Sequence, residues 1–194
     1  MSETSWRVMF TMLVLLVALQ RLWELGRSRE NEKSLRARGA REHAPQQMPW
    51  MRALHASWLA SMLIETWVLE PAPSVAVAFP ALAVFTVGQA LRLSAMRALG
   101  DRWNVKIFTL PGAPAVHGGV FAHVRHPNYL GVVLEIASLP LVGGALVTSL
   151  VFSVANAVLL FFRIRAEQAA LRADNDYRAL EDRPLFVPRL ARRE

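Results

Sequence analysis

Uncharged apolar runs recur along this chain, and each is long enough to dictate its own conformation. The first spans Trp6 to Leu25, with the uncharged core VMFTMLVLLVAL. About 20 such residues cross a bilayer as a helix. A helix is the form that hydrocarbon demands of an isolated run, because it satisfies its own backbone polar groups. Further runs cover Met51 to Leu69, Val75 to about Leu93, Asn128 to Val142 and Ala145 to Phe162. Of 194 residues 54% are hydrophobic, and the mean hydropathy is +0.28. The expected fold is therefore all-α and integral to the membrane, a single domain over 1–194 with about five transmembrane helices. The last two would form a helical hairpin about Gly143-Gly144. The first run lacks a small-residue cleavage site and ends in charged residues, so it reads as a retained anchor.

The polar stretches set the expected topology. Gly26 to Arg52 is rich in arginine and reads as a short surface helix followed by a loop, broken by Pro45 and Pro49. The 97–125 region and the chain after Phe162 are also basic, whereas the Glu70–Ser74 turn has no basic residue. Basic loops stay in the cytoplasm. The expectation is a multi-pass protein of the cell (inner) membrane, with its N-terminus outside and its C-terminus cytoplasmic. The net charge of +7 is absorbed by these loops, and no nucleic-acid motif accompanies it. The chain has no cysteine, which excludes disulfides, thiolate metal sites and a cysteine nucleophile.

A few polar residues interrupt the apolar runs. Arg21 and Glu24 lie one helical turn apart and read as an interfacial ion pair with a snorkelling arginine. Glu65 is expected either near water or paired within the bundle. Glu135 and Asn156 read as glue between helices. His43, His55, His117, His123 and His126 lack metal-ligand spacing, so no metal is expected.

The stretch VHGGVFAHVRHPNYLGVVLE, Val116 to Glu135, is the chemical centre of the sequence. Pro127 suits the first turn of a helix. Backbone N–H groups and the positive helix end would then lie beside Arg125, His126 and Tyr129, a place for a carboxylate or phosphate. Arg163 and Glu167 are spaced i,i+4 on the last helix, which runs on without a breaker into QAALRADNDYRAL. By spacing alone they are also an ordinary exposed ion pair. WNVKIFTLPG alternates and could be extended.

GGVFAHVRHPNYLG, an apolar hairpin and FFRIRAEQAAL together resemble the isoprenylcysteine carboxyl methyltransferase family. Its pattern is RHPxYxG, a hairpin, and R-x-x-x-E on the final helix. The segments RLWELGRSRENEKSLRARGARE, LGDRWNVKIFTLPG, RHPNYLGVVLE and LPL are similar to a bacterial branch, the alkylpyrone O-methyltransferases encoded beside type III polyketide synthases. The resemblance implies methyl transfer from S-adenosyl-L-methionine to an oxygen on a lipophilic acceptor, a prenylated cysteine carboxylate or an alkylpyrone-type enolic hydroxyl. Residues 1–98 would then carry three spans with the basic loop 26–52, and 99–194 the catalytic, cofactor-binding half with a cytoplasmic pocket. Carried over by position, Ala113, Pro114, Ala115, Val116, Phe121, Arg125, His126, Pro127, Asn128, Tyr129 and Glu167 would bind the cofactor. Arg163 and Glu167 would be catalytic, with Arg163 facing the acceptor. Phe121 stands where the family has a tyrosine, and Lys106 where the eukaryotic pattern has a glutamine. Partners would be the lipophilic substrate and membrane lipids, with no nucleic acid. Two other readings share parts of the pattern: a nicotinamide-dependent sterol-type reductase, and a non-enzymatic scaffold or transporter subunit.

Overall fold

The computed structural model describes residues 2–72, 74–175, 177, 181 and 183–186. Five helices carry the fold: α1 (Glu3–Ala37), α2 (Met48–Ile64), α3 (Val75–Leu99), α4 (Pro127–Val142) and α5 (Leu146–Asp174). Two short strands, β1 (Arg41–His43) and β2 (Ile107–Thr109), pair antiparallel with His43 opposite Ile107. The alternating segment is therefore extended, as its pattern suggests. Among the described residues, the helices of α1, α3 and α5 are long and apolar enough to cross a membrane. Their outward faces carry side chains such as Leu16, Leu19, Val154 and Phe161, all exposed, while polar groups turn inward. Such a surface suits lipid.

The polar segment after Gly26 does not leave the helix. α1 continues to Ala37, because Glu24, Ser28, Asn31 and Leu35 recur at helical spacing and are all buried. Ser28 Oγ meets Asn104 Oδ1 at 2.9 Å, and Asn31 Nδ2 donates to the Trp103 carbonyl at 2.7 Å. This buried polar face against the 100–104 loop overrides the breaking effect of Gly26, and the arginines lie on the opposite face. The expected boundary between span and loop is thus wrong: span and polar arm are one rod.

At the other end of the bundle the α4–α5 hairpin reaches the start of α1. Trp6 Nε1 donates to the Val142 carbonyl at 3.0 Å, and Phe10 packs where a Cβ on Gly143 would stand. α5 has no side-chain cap of its own. Glu65, in the π-helical turn Glu65–Leu69 that prolongs α2, supplies one. Its carboxylate accepts from the N–H of Val147 at 2.9 Å and of Thr148 at 2.7 Å. That satisfies two of the donors a helix start leaves open and sets a negative charge at the positive helix end. Of the two places expected for Glu65, the paired one holds.

α3 and α4 approach most closely at Gly88 and Gly131. A Cβ on Gly131 would stand 2.7 Å from the Gly88 carbonyl oxygen and 2.6 Å from Arg92 Cγ. Only glycine lets the two backbones, and the Arg92 stem, pass there. The apolar core lies below this crossing, around Phe10, Trp58, Met62, Phe85 and Leu139.

Candidate functional site

Pro127 is the first residue of α4, as its chemistry requires, and His126 is the N-cap. The chain's distal segment closes over this helix start. The Arg125 N–H donates to the Pro184 carbonyl at 3.0 Å and the His126 N–H to that of Leu185 at 3.2 Å. Arg183 Nη1 donates to the His117 carbonyl at 3.0 Å and also to that of Phe121. Two of the N–H groups expected to face a ligand are thus engaged. Those of Asn128 and Tyr129, in the first turn, lack intrahelical partners by helix geometry.

Above the helix start α5 carries Arg163 and Glu167. They do not pair with each other. The Tyr129 hydroxyl stands between them, donating to Glu167 and accepting from Arg163 Nε at 3.0 Å. Arg163 is only 5% exposed, so it is not the exposed helical ion pair that spacing alone allows. The His126 ring stacks on Tyr129 with centroids 5.4 Å apart. His126 Nε2 lies 3.1 Å from Gln168 Nε2 and 3.4 Å from the Tyr177 hydroxyl. Burial lowers His126 below the ordinary 6.5; Glu167 opposes this and Arg125 adds to it. Gln168 Nε2 is an N–H donor, so His126 Nε2 accepts in this arrangement.

These groups open on a cavity of about 590 Å³, within the range of small-molecule sites. Pro114, Ala115, Val116, Phe121, Arg125, His126, Pro127, Asn128, Tyr129, Arg163 and Glu167 all line it. Ala113 does not. Its carbonyl accepts from Asn175 Nδ2 at 2.6 Å, which pins the loop to the end of α5 instead. Lys106 lines the cavity, but its Nζ is held by Glu32 at 2.8 Å and Glu42 at 3.3 Å. Asp174 fastens the strand pair to α5: it accepts from Thr109 and lies 3.2 Å from Arg41 Nη1. The Thr109 hydrogen bond, above all, holds its carboxyl below the usual value.

Sequence reasoning missed the inner end of the cavity. Arg21, Glu24 and Arg92 line it, and His55 stands beside them. Arg21 and Glu24 do pair, at 2.7 Å, but their side chains are only 13% and 3% exposed, so the arginine turns into the bundle and does not snorkel. Glu24 accepts from Arg21 Nη1 at 2.7 Å, from Gln20 Nε2 at 3.1 Å and from Arg92. Glu135 accepts from Arg21, and its other oxygen lies 3.3 Å from Arg92 Nε. The available signal was four charges placed inside apolar runs, which seldom occurs without a role.

Fold and site define an α-helical membrane protein with a largely apolar cavity into which several arginines reach. Residues 81–173 match the model of the Isoprenylcysteine carboxyl methyltransferase (ICMT) family. The uncharacterized protein YpbQ of Bacillus subtilis (strain 168) is 37% identical over 164 residues, covering 84% of this chain and 97% of that protein. An uncharacterized protein of Haemophilus influenzae (strain ATCC 51907 / DSM 11121 / KW20 / Rd) is 28% identical over 152 residues, 78% of this chain and 88% of its own. The chain belongs to the isoprenylcysteine carboxyl methyltransferase family.

Proposed function

We propose that this protein is an O-methyltransferase that uses S-adenosyl-L-methionine to methylate a lipophilic acceptor at the cytoplasmic face of the cell membrane. In this reading all five helices cross the bilayer. α2 with its π turn (48–69) and the 16-residue α4 are the shorter spans. The N-terminus lies outside and the cavity opens to the cytoplasm.

The observation that carries the reading is the Arg163–Tyr129–Glu167 chain facing the cavity. The residues present fit the cofactor. Asn128 Oδ1 is buried without a hydrogen-bond partner among the described residues, an acceptor available to a ligand amine or hydroxyl. Phe121 and Trp103 offer apolar ring surface for an adenine. His126 to Tyr129, Pro114 to Val116, Phe121 and Glu167 would hold it. When bound, the cofactor supplies an electrophilic methyl group on a sulfonium.

The chain's own residues then need only orient the acceptor. Displacement in line requires the acceptor oxygen close and collinear, so positioning supplies much of the rate. Arg163 is held by Tyr129 and by the Val105 carbonyl, and its fork suits an oxyanion. A carboxylate or acidic enol is ionised near neutral pH and needs no strong base. The acceptor is either a prenylated cysteine carboxylate or an alkylpyrone-type enol. Its tail leaves between α1 and α2, where cavity residues such as Leu22 and Ala56 are exposed on the bundle's outer surface.

Calorimetry with S-adenosylhomocysteine on purified protein, with label transfer from the methyl donor to each lipid class, tests this. Binding that is weakened by Glu167→Ala supports the reading. No binding, and no transfer to either lipid, overturns it.

A further inference from the structure

The ionic cluster of Arg21, Glu24, Arg92 and Glu135 is not among the residues proposed above to hold the cofactor. Arg21, Glu24, Arg92 and Glu135 are formally neutral together, and their side chains are at most 13% exposed. Stability alone does not call for such a cluster, because apolar residues of similar volume often replace buried ion pairs without loss. Nor is it complete in itself. Arg21 Nε has no hydrogen-bond partner among the described residues, and Arg92 Nε faces Glu135 Oε1 at 3.3 Å without the geometry of a hydrogen bond. Native interiors seldom leave such groups unmatched.

Its placement gives the cluster a use. Arg21, Arg92 and Glu24 line the cavity, whereas Glu135 stands behind the guanidiniums. The Arg92 stem crosses α4 at Gly131, two residues beyond Tyr129, about 3 Å of helix rise. The cluster and the Arg163–Tyr129 pair line the same cavity. Seven arginine or lysine side chains line the cavity, and they outnumber the carboxylates that line it or pair with them from behind, Glu24, Glu167, Glu135, Glu32 and Glu42. Low-dielectric walls concentrate that positive field and draw in anions.

We propose that Arg21 and Arg92, braced by Glu24 and Glu135, form a subsite for the ionised head of the acceptor lipid, an oxyanion conjugated to a carbonyl. The proposal rests on the methyl-transfer reading above. The carboxylates fix the two guanidiniums in advance, so the head group meets donors that need no reordering. A carboxylate and an acidic enolate share this chemistry. The subsite would place the oxyanion beside Arg163 with its tail directed past Leu22 and Leu59, which also line the cavity.

The test measures lipid binding to the purified full chain by quenching of tryptophan fluorescence, since Trp103 lines the cavity. Two probe pairs are used: a long-chain carboxylate with its methyl ester, and an alkyl 4-hydroxy-2-pyrone with its O-methyl ether. The wild type should bind at least one anion about tenfold tighter than its neutral partner. The charge-balanced double variant Arg92→Met with Glu24→Gln should lose that preference and keep S-adenosylhomocysteine affinity within about threefold. Glu135→Gln, which adds net positive charge but removes a brace from both guanidiniums, should change the preference by severalfold, upward if charge dominates and downward if bracing does, and carries the test if the double variant does not fold. No preference in the wild type, or a preference unchanged in the variants, overturns the subsite. Homocysteine-analogue binding without anion preference removes the subsite alone. Anion preference without analogue binding removes the methyl-transfer reading and leaves an anionic-lipid site. The probe pair that responds identifies the head group.

Discussion

The Tyr129 hydroxyl donates to the Glu167 carboxylate and accepts from Arg163 Nε at 3.0 Å, so one phenol links the two functional groups of α5 to the first turn of α4. Neither α5 residue is positioned by its own helix alone.

Tyr129→Phe keeps the ring that stacks on His126 and removes that link. Hydrogen bonds to charged groups contribute about 1.5–3 kcal/mol, so kcat/KM for methyl transfer should fall about 10- to 100-fold. Rate measurements against both substrates check this. An unchanged rate would show that Arg163 and Glu167 are held by other contacts.

How far the sequence could be read depended on whether the decisive force was local. Pro127 at a helix start and the hairpin at Gly143 follow from local chemistry and appear as expected. α5 runs on unbroken through Arg163 and Glu167 but stops at Asp174, where Asn175 turns extended, short of the end of the expected QAALRADNDYRAL. The continuation of α1 through Gly26 was hidden, because its cause is burial of Ser28 and Asn31 against a loop about 70 residues away. The same holds for Arg21 and Glu24. Their spacing suggested a pair at the membrane edge, but their partners Arg92 and Glu135 come from α3 and α4. Ala113 lies outside the cavity lining, and its carbonyl accepts from Asn175, remote in sequence.

Glu65 caps α5 from another helix, and its loss should destabilise the hairpin without touching the cavity. Glu65→Ala leaves the N–H groups of Val147 and Thr148 unpaired in an apolar setting, at a cost of about 2 kcal/mol or more. Thermal unfolding in detergent should show a lower Tm, while S-adenosylhomocysteine affinity below that Tm stays at the wild-type value. A large loss of affinity in the folded variant would place Glu65 in a different role.

Gly131 is the point where α3, α4 and the Arg92 stem meet. A methyl group there would stand 2.6 Å from Arg92 Cγ and 2.7 Å from the Gly88 carbonyl oxygen, and the carbonyl cannot step aside. Overpacking of this kind costs about 1–3 kcal/mol. Gly131→Ala should lower Tm and expression yield together. Gly26→Ala is the control, because nothing lies within 4 Å of a Cβ there. Equal stability of the two variants would contradict the close crossing.

His126 makes stability depend on pH in a stated direction. Burial holds its folded value below 6.5, with Glu167 opposing and Arg125 adding to the shift. The unfolded chain takes up a proton near pH 6.5 that the folded chain resists, so the unfolded state binds more protons below that pH. This contribution is fully present above pH 6.5 and is lost as pH falls toward the folded value. Tm measured between about pH 5 and 8 should therefore drop on the acid side. The informative quantity is the difference between wild type and His126→Asn. That difference should shrink as the pH falls below 6.5, because the variant lacks the group that resists protonation. A difference independent of pH would mean that His126 titrates alike in both states.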